Sequence, residues 1–142
     1  MLKDAEELEV YALKVGENLV GTFTLEFALT EPLSYIKFGN INWQVSNVPV
    51  VYIHKLAVLP EQQGQGLGTW CLSAIEKLAF RQGHYAVRLD AVKTHQKLLS
   101  FYESRGYQMV GELIFNSDVW VDAFVFEKVL TEVNEHQKAK FE

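Results

Sequence analysis

The chain has 142 residues, 13 of them Lys or Arg and 18 Asp or Glu, for a net charge of -5; that length suits one domain with a core needing no staples. The acidic balance argues against a nucleic-acid partner, since phosphate neutralisation needs clustered Lys and Arg, and the single cysteine excludes an intrachain disulfide and fits a reducing compartment. No apolar run approaches the ~20 residues of a membrane span, and Leu2-Lys3-Asp4-Ala5-Glu6-Glu7 is too polar for a signal peptide, so no membrane and a cytoplasmic location are expected.

Leu8–Val15 alternates and reads as a strand, Gly16-Glu17-Asn18 as a turn, and Leu19–Phe27 as the second strand of a hairpin. Ala28–Pro49 is a long connection. It carries Tyr35, Ile36, Phe38, Ile41 and Trp43, which suit a folded-over binding loop better than a polar linker. Val50–Leu59 is apolar apart from His54 and Lys55, as in a central strand buried on both faces, and Pro60 ends it. Strand alternation puts Tyr52, His54, Leu56 and Val58 on one face. Leu67, Trp70, Cys71, Ala74, Ile75, Leu78 and Ala79 recur at helical spacing, and Arg81-Gln82-Gly83 closes that helix. Tyr85–Ala91 reads as a strand. Thr94 reads as the N-cap of a helix from His95 to Ser104 that stops at Gly106. Tyr107–Phe115 and Val119–Leu130 read as strands joined at Asn116-Ser117-Asp118, followed by a charged tail. The expected organisation is one domain over residues 1–130 and a tail over 131–142. The order β-β-β-α-β-α-β-β predicts an α+β fold, an α/β-like three-layer arrangement with a mixed sheet and crossover helices.

A strand, then Gly64, Gly66 and Gly68, then a helix is a phosphate-cradle arrangement. Glycines let successive amides point into one concavity, and the helix N-terminus adds its own orphan amides and dipole. The same glycines equally serve a sharp turn. A Walker loop is excluded because no Lys precedes Thr69, and the Gly-x-Gly-x-Gly spacing does not match the dinucleotide fingerprint.

Three segments together resemble the Gcn5-related N-acetyltransferase (GNAT) superfamily: Leu56-Ala57-Val58-Leu59-Pro60, Gln63-Gly64-Gln65-Gly66-Leu67-Gly68, and Leu89-Asp90 onward to Phe101-Tyr102-Glu103-Ser104-Arg105-Gly106-Tyr107. The Gln/Arg-x-x-Gly-x-Gly pattern is met by Gln63, Gly66 and Gly68. The resemblance implies a mostly antiparallel sheet splayed between two central strands, with acetyl-CoA in the V. It implies that Gln63, Gly64, Gln65, Gly66, Leu67, Gly68 and Thr69 hold the pyrophosphate, and that Leu56, Ala57 and Val58 pair with the pantetheine arm. His95 stands where many members carry an Asn that contacts the pantetheine. Tyr102 matches the general-acid tyrosine, whose phenol (pKa ~10) is protonated at pH 7. No metal is expected.

The implied reaction is attack of a primary amine on the thioester within a ternary complex. The acceptor is a small-molecule amine or a lysine or N-terminal amine, with a cationic acceptor mildly favoured by the net charge. Some members place a Glu at the position of Tyr52 or His54. This chain does not, which leaves His54 either as base, directly or through water, or as a mere lining residue. Cys71 falls in the apolar helix stripe and is expected to be buried and inert. Family members usually open with a strand and two helices before the first hairpin, whereas here the hairpin begins near Leu8. The Ala28–Pro49 connection, with Tyr35, Phe38 and Trp43, is therefore expected to close over the acceptor site or pack against a second subunit. Tyr35, Trp43 and Tyr52 are the candidate acceptor contacts. A non-catalytic acyl-CoA-binding module of the same fold is the alternative function.

Overall fold

The alternating runs at the N-terminus close the predicted hairpin around Gly16, which sits at φ 62 in the turn. The computed structural model describes residues 7–28, 39–59, 64, 66–117 and 119–130. Its strands are β1 (Glu7–Val15), β2 (Asn18–Ala28), β3 (Gly39–Ile41), β4 (Val50–Val58), β5 (Ala86–Val92), β6 (Gln108–Ser117) and β7 (Val119–Val129). Two helices, α1 (Leu67–Arg81) and α2 (Gln96–Ser104), complete the elements among the described residues. One mixed sheet runs in the order β1-β2-β4-β5-β7-β6-β3. Every neighbouring pair is antiparallel except β4–β5.

Both helices pack on one face of the sheet. Cys71, Leu72, Ile75 and Ala79 of α1 and Leu99 and Tyr102 of α2 share a core with Leu25, Val51, Ile53, Val87, Leu89 and Phe126. The opposite face has its own cluster, Val50, Tyr52, Ala86, Leu113, Ala123 and Val125, covered by Ile41, Trp43, Val45 and Val48. The second part of the long connection therefore does the covering that helices do on the first face. Val50 through Ile53 are all buried, as expected of a strand with both faces covered.

Three local expectations need correction. The segment at Gly39–Ile41 is a strand, because it adds to the edge of β6 opposite Gly111–Leu113. A Cβ on Gly111 would lie 2.3 Å from the Asn40 carbonyl oxygen, so only glycine lets the two backbones meet there. In α1, Trp70 is 62% exposed and Ala74 faces solvent, while Glu76 occupies a buried position. The burial of Glu76 is offset by the Tyr107 hydroxyl at 2.8 Å and Lys128 Nζ at 3.0 Å. Finally, His95 rather than Thr94 caps α2, its Nδ1 accepting from the Leu98 amide at 3.3 Å.

Candidate functional site

Parallel pairing of β4 with β5 is confined to Val50–Tyr52 against Ala86–Arg88. Beyond that point the strands part into a V. The parting coincides with an irregularity in β4. Lys55 has φ 55, and the register against β2 slips between Thr22 and Thr24. This is a β-bulge, and one extra residue reverses the facing of everything after it. Leu56 and Val58 consequently pack with Val51 and Ile53 on the helical face, while Tyr52 lies on the opposite one. The expectation that Tyr52, His54, Leu56 and Val58 share a face is thus wrong, because alternation fails at Lys55.

On the helical face the V opens into a cleft of about 730 Å³. Its lining brings together Leu56, Ala57 and Val58 of β4, Gly64 and Gly66 ahead of α1, Leu67, Gly68 and Thr69 in its first turn, the α2 N-cap His95, and Tyr102 of α2. Gln63, Gln65 and Tyr35 lie outside the described residues. Gly66 is the N-cap of α1 at φ 80, ψ 6, with no side-chain cap and no acidic residue in the first turn. The first-turn amides have no acceptor within the helix, so they offer donors and a positive dipole end to the cleft. Gly64 is also left-handed, at φ 83. Gly68 has a different reason to be glycine, since a Cβ there would stand 3.2 Å from Phe101 Cζ of α2. A backbone cradle with open space at Gly64 and Gly66, apolar walls and a neighbouring cation fits an extended pantetheine chain ending in a diphosphate. The cation is Lys97, which lines the cleft with Leu98 and Phe101. The sequence reading missed it, because a lysine on a short amphipathic helix looks like ordinary surface charge.

Tyr102 is buried against Tyr107 and Phe126, and its ring lies 5.9 Å from that of Phe126. Burial, with smaller contributions from Asp90 and Cys71, pushes its phenol up to about 12, so it holds its proton throughout the neutral range. Cys71 is buried, and desolvation pushes its thiol up to about 11, which removes the thiolate a covalent route would need. The Nδ1 of His95 accepts from the Leu98 amide, so the ring's proton belongs on Nε2, which makes that nitrogen a donor for the cleft it lines.

Across the sheet the chemistry is carried by side chains. His54 Nε2 lies 2.7 Å from Glu26 Oε1. Tyr52 is fully buried and receives Arg88 Nη1 at 2.9 Å on its hydroxyl, so its ring is a floor beside His54 rather than an acceptor contact. Arg88 also gives Nε to Glu127 Oε2 at 2.8 Å and Nη2 to the Val45 carbonyl at 2.5 Å. Trp43 stacks over the guanidinium at 3.7 Å, and the Gln44 amide donates to Glu127 Oε1 at 2.6 Å. Trp43 is thereby held against the second face by a buried ion pair. Glu26, Arg88 and Glu127 were not singled out from the sequence. Each sits at an alternate strand position, where a charge reads as solvent-facing.

The sequence pattern of the Acetyltransferase (GNAT) family matches residues 2–107. YesJ, an uncharacterized N-acetyltransferase of Bacillus subtilis (strain 168), is 38% identical over 61 residues, which is 43% of this chain and 34% of that protein. The chain thus spans about a third of the length of that curated relative. Arabidopsis thaliana NAA60 in complex with acetyl-CoA superimposes with a TM-score of 0.63 at 18% identity, over 80% of this chain and 67% of that one. An acetyltransferase of Elizabethkingia anophelis with acetyl-CoA bound gives 0.61 at 15% identity, over 89% and 78% of the two chains.

Proposed function

The chain belongs to the GNAT family of acetyltransferases, and on that premise we propose that it moves an acetyl group from acetyl-CoA to a primary amine by direct attack within a ternary complex. The observation that carries this reading is the joining of the β4–β5 cleft to the left-handed glycines that open α1, with Tyr102 in the same lining. Acetyl-CoA supplies the acetyl group as a thioester. The first-turn amides of α1 and the Lys97 ammonium would hold its phosphates, and the β4 edge at Leu56–Val58 would run beside its pantetheine arm. Tyr102 gives its proton to the departing sulfur, a role that suits a phenol raised by burial. His54, on the face opposite Leu56 and Val58, takes the proton that the attacking amine sheds. In this arrangement the Lys55 bulge lets one strand serve both partners, with its far end towards the thioester and its near end towards the acceptor.

The test is thiol release from acetyl-CoA over a panel of primary amines, comparing wild type with Tyr102→Phe. Amine-dependent release in the wild type and its near-loss in the variant, with acetyl-CoA still bound, is the expected result. Saturable coenzyme A binding without turnover on any amine would instead identify a non-catalytic CoA-binding module.

A further inference from the structure

A helix usually keeps cations out of its first turn, where the peptide dipole is positive, and supplies those it carries with a carboxylate three or four residues away. Lys97 breaks both rules. It is the second residue of α2, just past the His95 N-cap, in a first turn that holds no acid. The positions three and four away on either side are Lys93, Thr94, Ser100 and Phe101, so no helical ion pair is open to it. Other basic side chains of the fold are compensated: Arg88 by Glu127, Lys93 by Glu112 and Asp122, and Lys128 by Glu76. Among the described residues Lys97 has no such partner, although the chain has a net charge of -5. It faces the cleft alone as well. Among the described residues lining that space there is no other Lys or Arg and no Asp or Glu.

Resting on the acetyl-CoA reading above, we propose that Lys97 is the specificity-determining residue for the donor, pairing with the 3′-phosphate of coenzyme A so that the cleft prefers coenzyme A thioesters to pantetheine thioesters lacking that phosphate. The two kinds of phosphate in the donor call for different hosts. A diphosphate spreads its charge over two bridged groups and suits the backbone amides at the start of α1. A monoester phosphate concentrates about -1.5 to -2 on one group near neutral pH, and an ammonium on a flexible four-carbon stem is a point charge that can follow it. Lys97 also lies five residues, about 7.5 Å of helix rise, on the N-terminal side of Tyr102, which sets its ammonium apart from the reacting sulfur. The cation weakens α2 in the ligand-free chain and is offset when the phosphate arrives, a local cost kept for binding.

The test is calorimetric titration of wild type and Lys97→Gln with coenzyme A and with 3′-dephospho-coenzyme A. Wild type should bind the dephosphorylated form about tenfold more weakly, and the difference should shrink as salt is raised. Lys97→Gln should bind both forms with the weaker affinity. The ligand-free variant should melt about 1–3 °C above wild type, because the cation has left the positive end of α2. The role is overturned if Lys97→Gln keeps the wild-type preference, or if it weakens both forms by the same factor, as a lysine on the diphosphate would. It is equally overturned if the ligand-free variant melts lower, since the lysine would then serve the fold. A wild type that binds neither form overturns the acetyl-CoA reading and this role with it. Wild-type binding of both forms without preference overturns this role alone.

Discussion

Beyond Lys55, β4 borders a cleft whose lining offers backbone groups: left-handed glycines, first-turn amides and strand edges, with one ammonium from α2. Before Lys55, the same strand is surrounded by interlocked side chains, Glu26 with His54 and Arg88 with Glu127, Tyr52 and Trp43. The difference separates two demands. A co-substrate that is chemically constant can be held by main-chain groups, which need only the right φ and ψ. A surface proposed to handle protons needs charged side chains, and burying charges requires partners on three further strands. The two regions should therefore fail in different ways when altered.

Arg88→Met leaves the fully buried Glu127 carboxylate without its counter-ion. It should cost about 3–5 kcal/mol of stability, read as a lowered denaturant midpoint. An unchanged midpoint would erase the contrast between the two sides. Tyr102→Phe should lower kcat about a hundredfold with little change in acetyl-CoA affinity, because the cradle does not depend on that hydroxyl. Gly66→Val forces a β-branched side chain to φ 80, a strain on the order of 1–3 kcal/mol. Calorimetry should show acetyl-CoA binding about tenfold weaker or worse, with the nuclear magnetic resonance signals of the His54 imidazole unmoved. The smallest effect is one of pH. The Tyr102 phenol has a folded pKa of about 12 against ~10 for a free tyrosine. Its contribution is whole below pH ~10, where both states are protonated, and fades as pH climbs towards 12 and the unfolded chain ionises first. Unfolding midpoints should be flat with respect to this group to about pH 10 and then fall, less steeply in Tyr102→Phe.

The cleft side was legible in the sequence because special backbone angles leave a visible trace in Gly64 and Gly66, and because α1 and α2 carry clear apolar periodicity. The other side left little trace. Glu26 is 28 positions from His54, and Arg88 is 39 from Glu127. Within one strand each looks like an ordinary outward-pointing charge. The bulge was hidden because a lysine holds the left-handed angle at position 55, where no Gly or Asn announces it, and that one residue was enough to misplace Leu56 and Val58. β3 escaped notice because three residues have no period to read. Trp70 misled for the opposite reason: its hydrophobicity fits the stripe, while its place in the first turn of α1 leaves it in solvent.

The three-rung ladder between β4 and β5 also divides the molecule mechanically. On one side of this seam stand β1, β2 and β4, and on the other β5, β7, β6 and β3, with α1 laid across both. Amide exchange in the empty protein should break into two blocks along that line. A ligand lodged in the gap acts as a rivet, tying the halves together and raising the melting temperature with its own concentration.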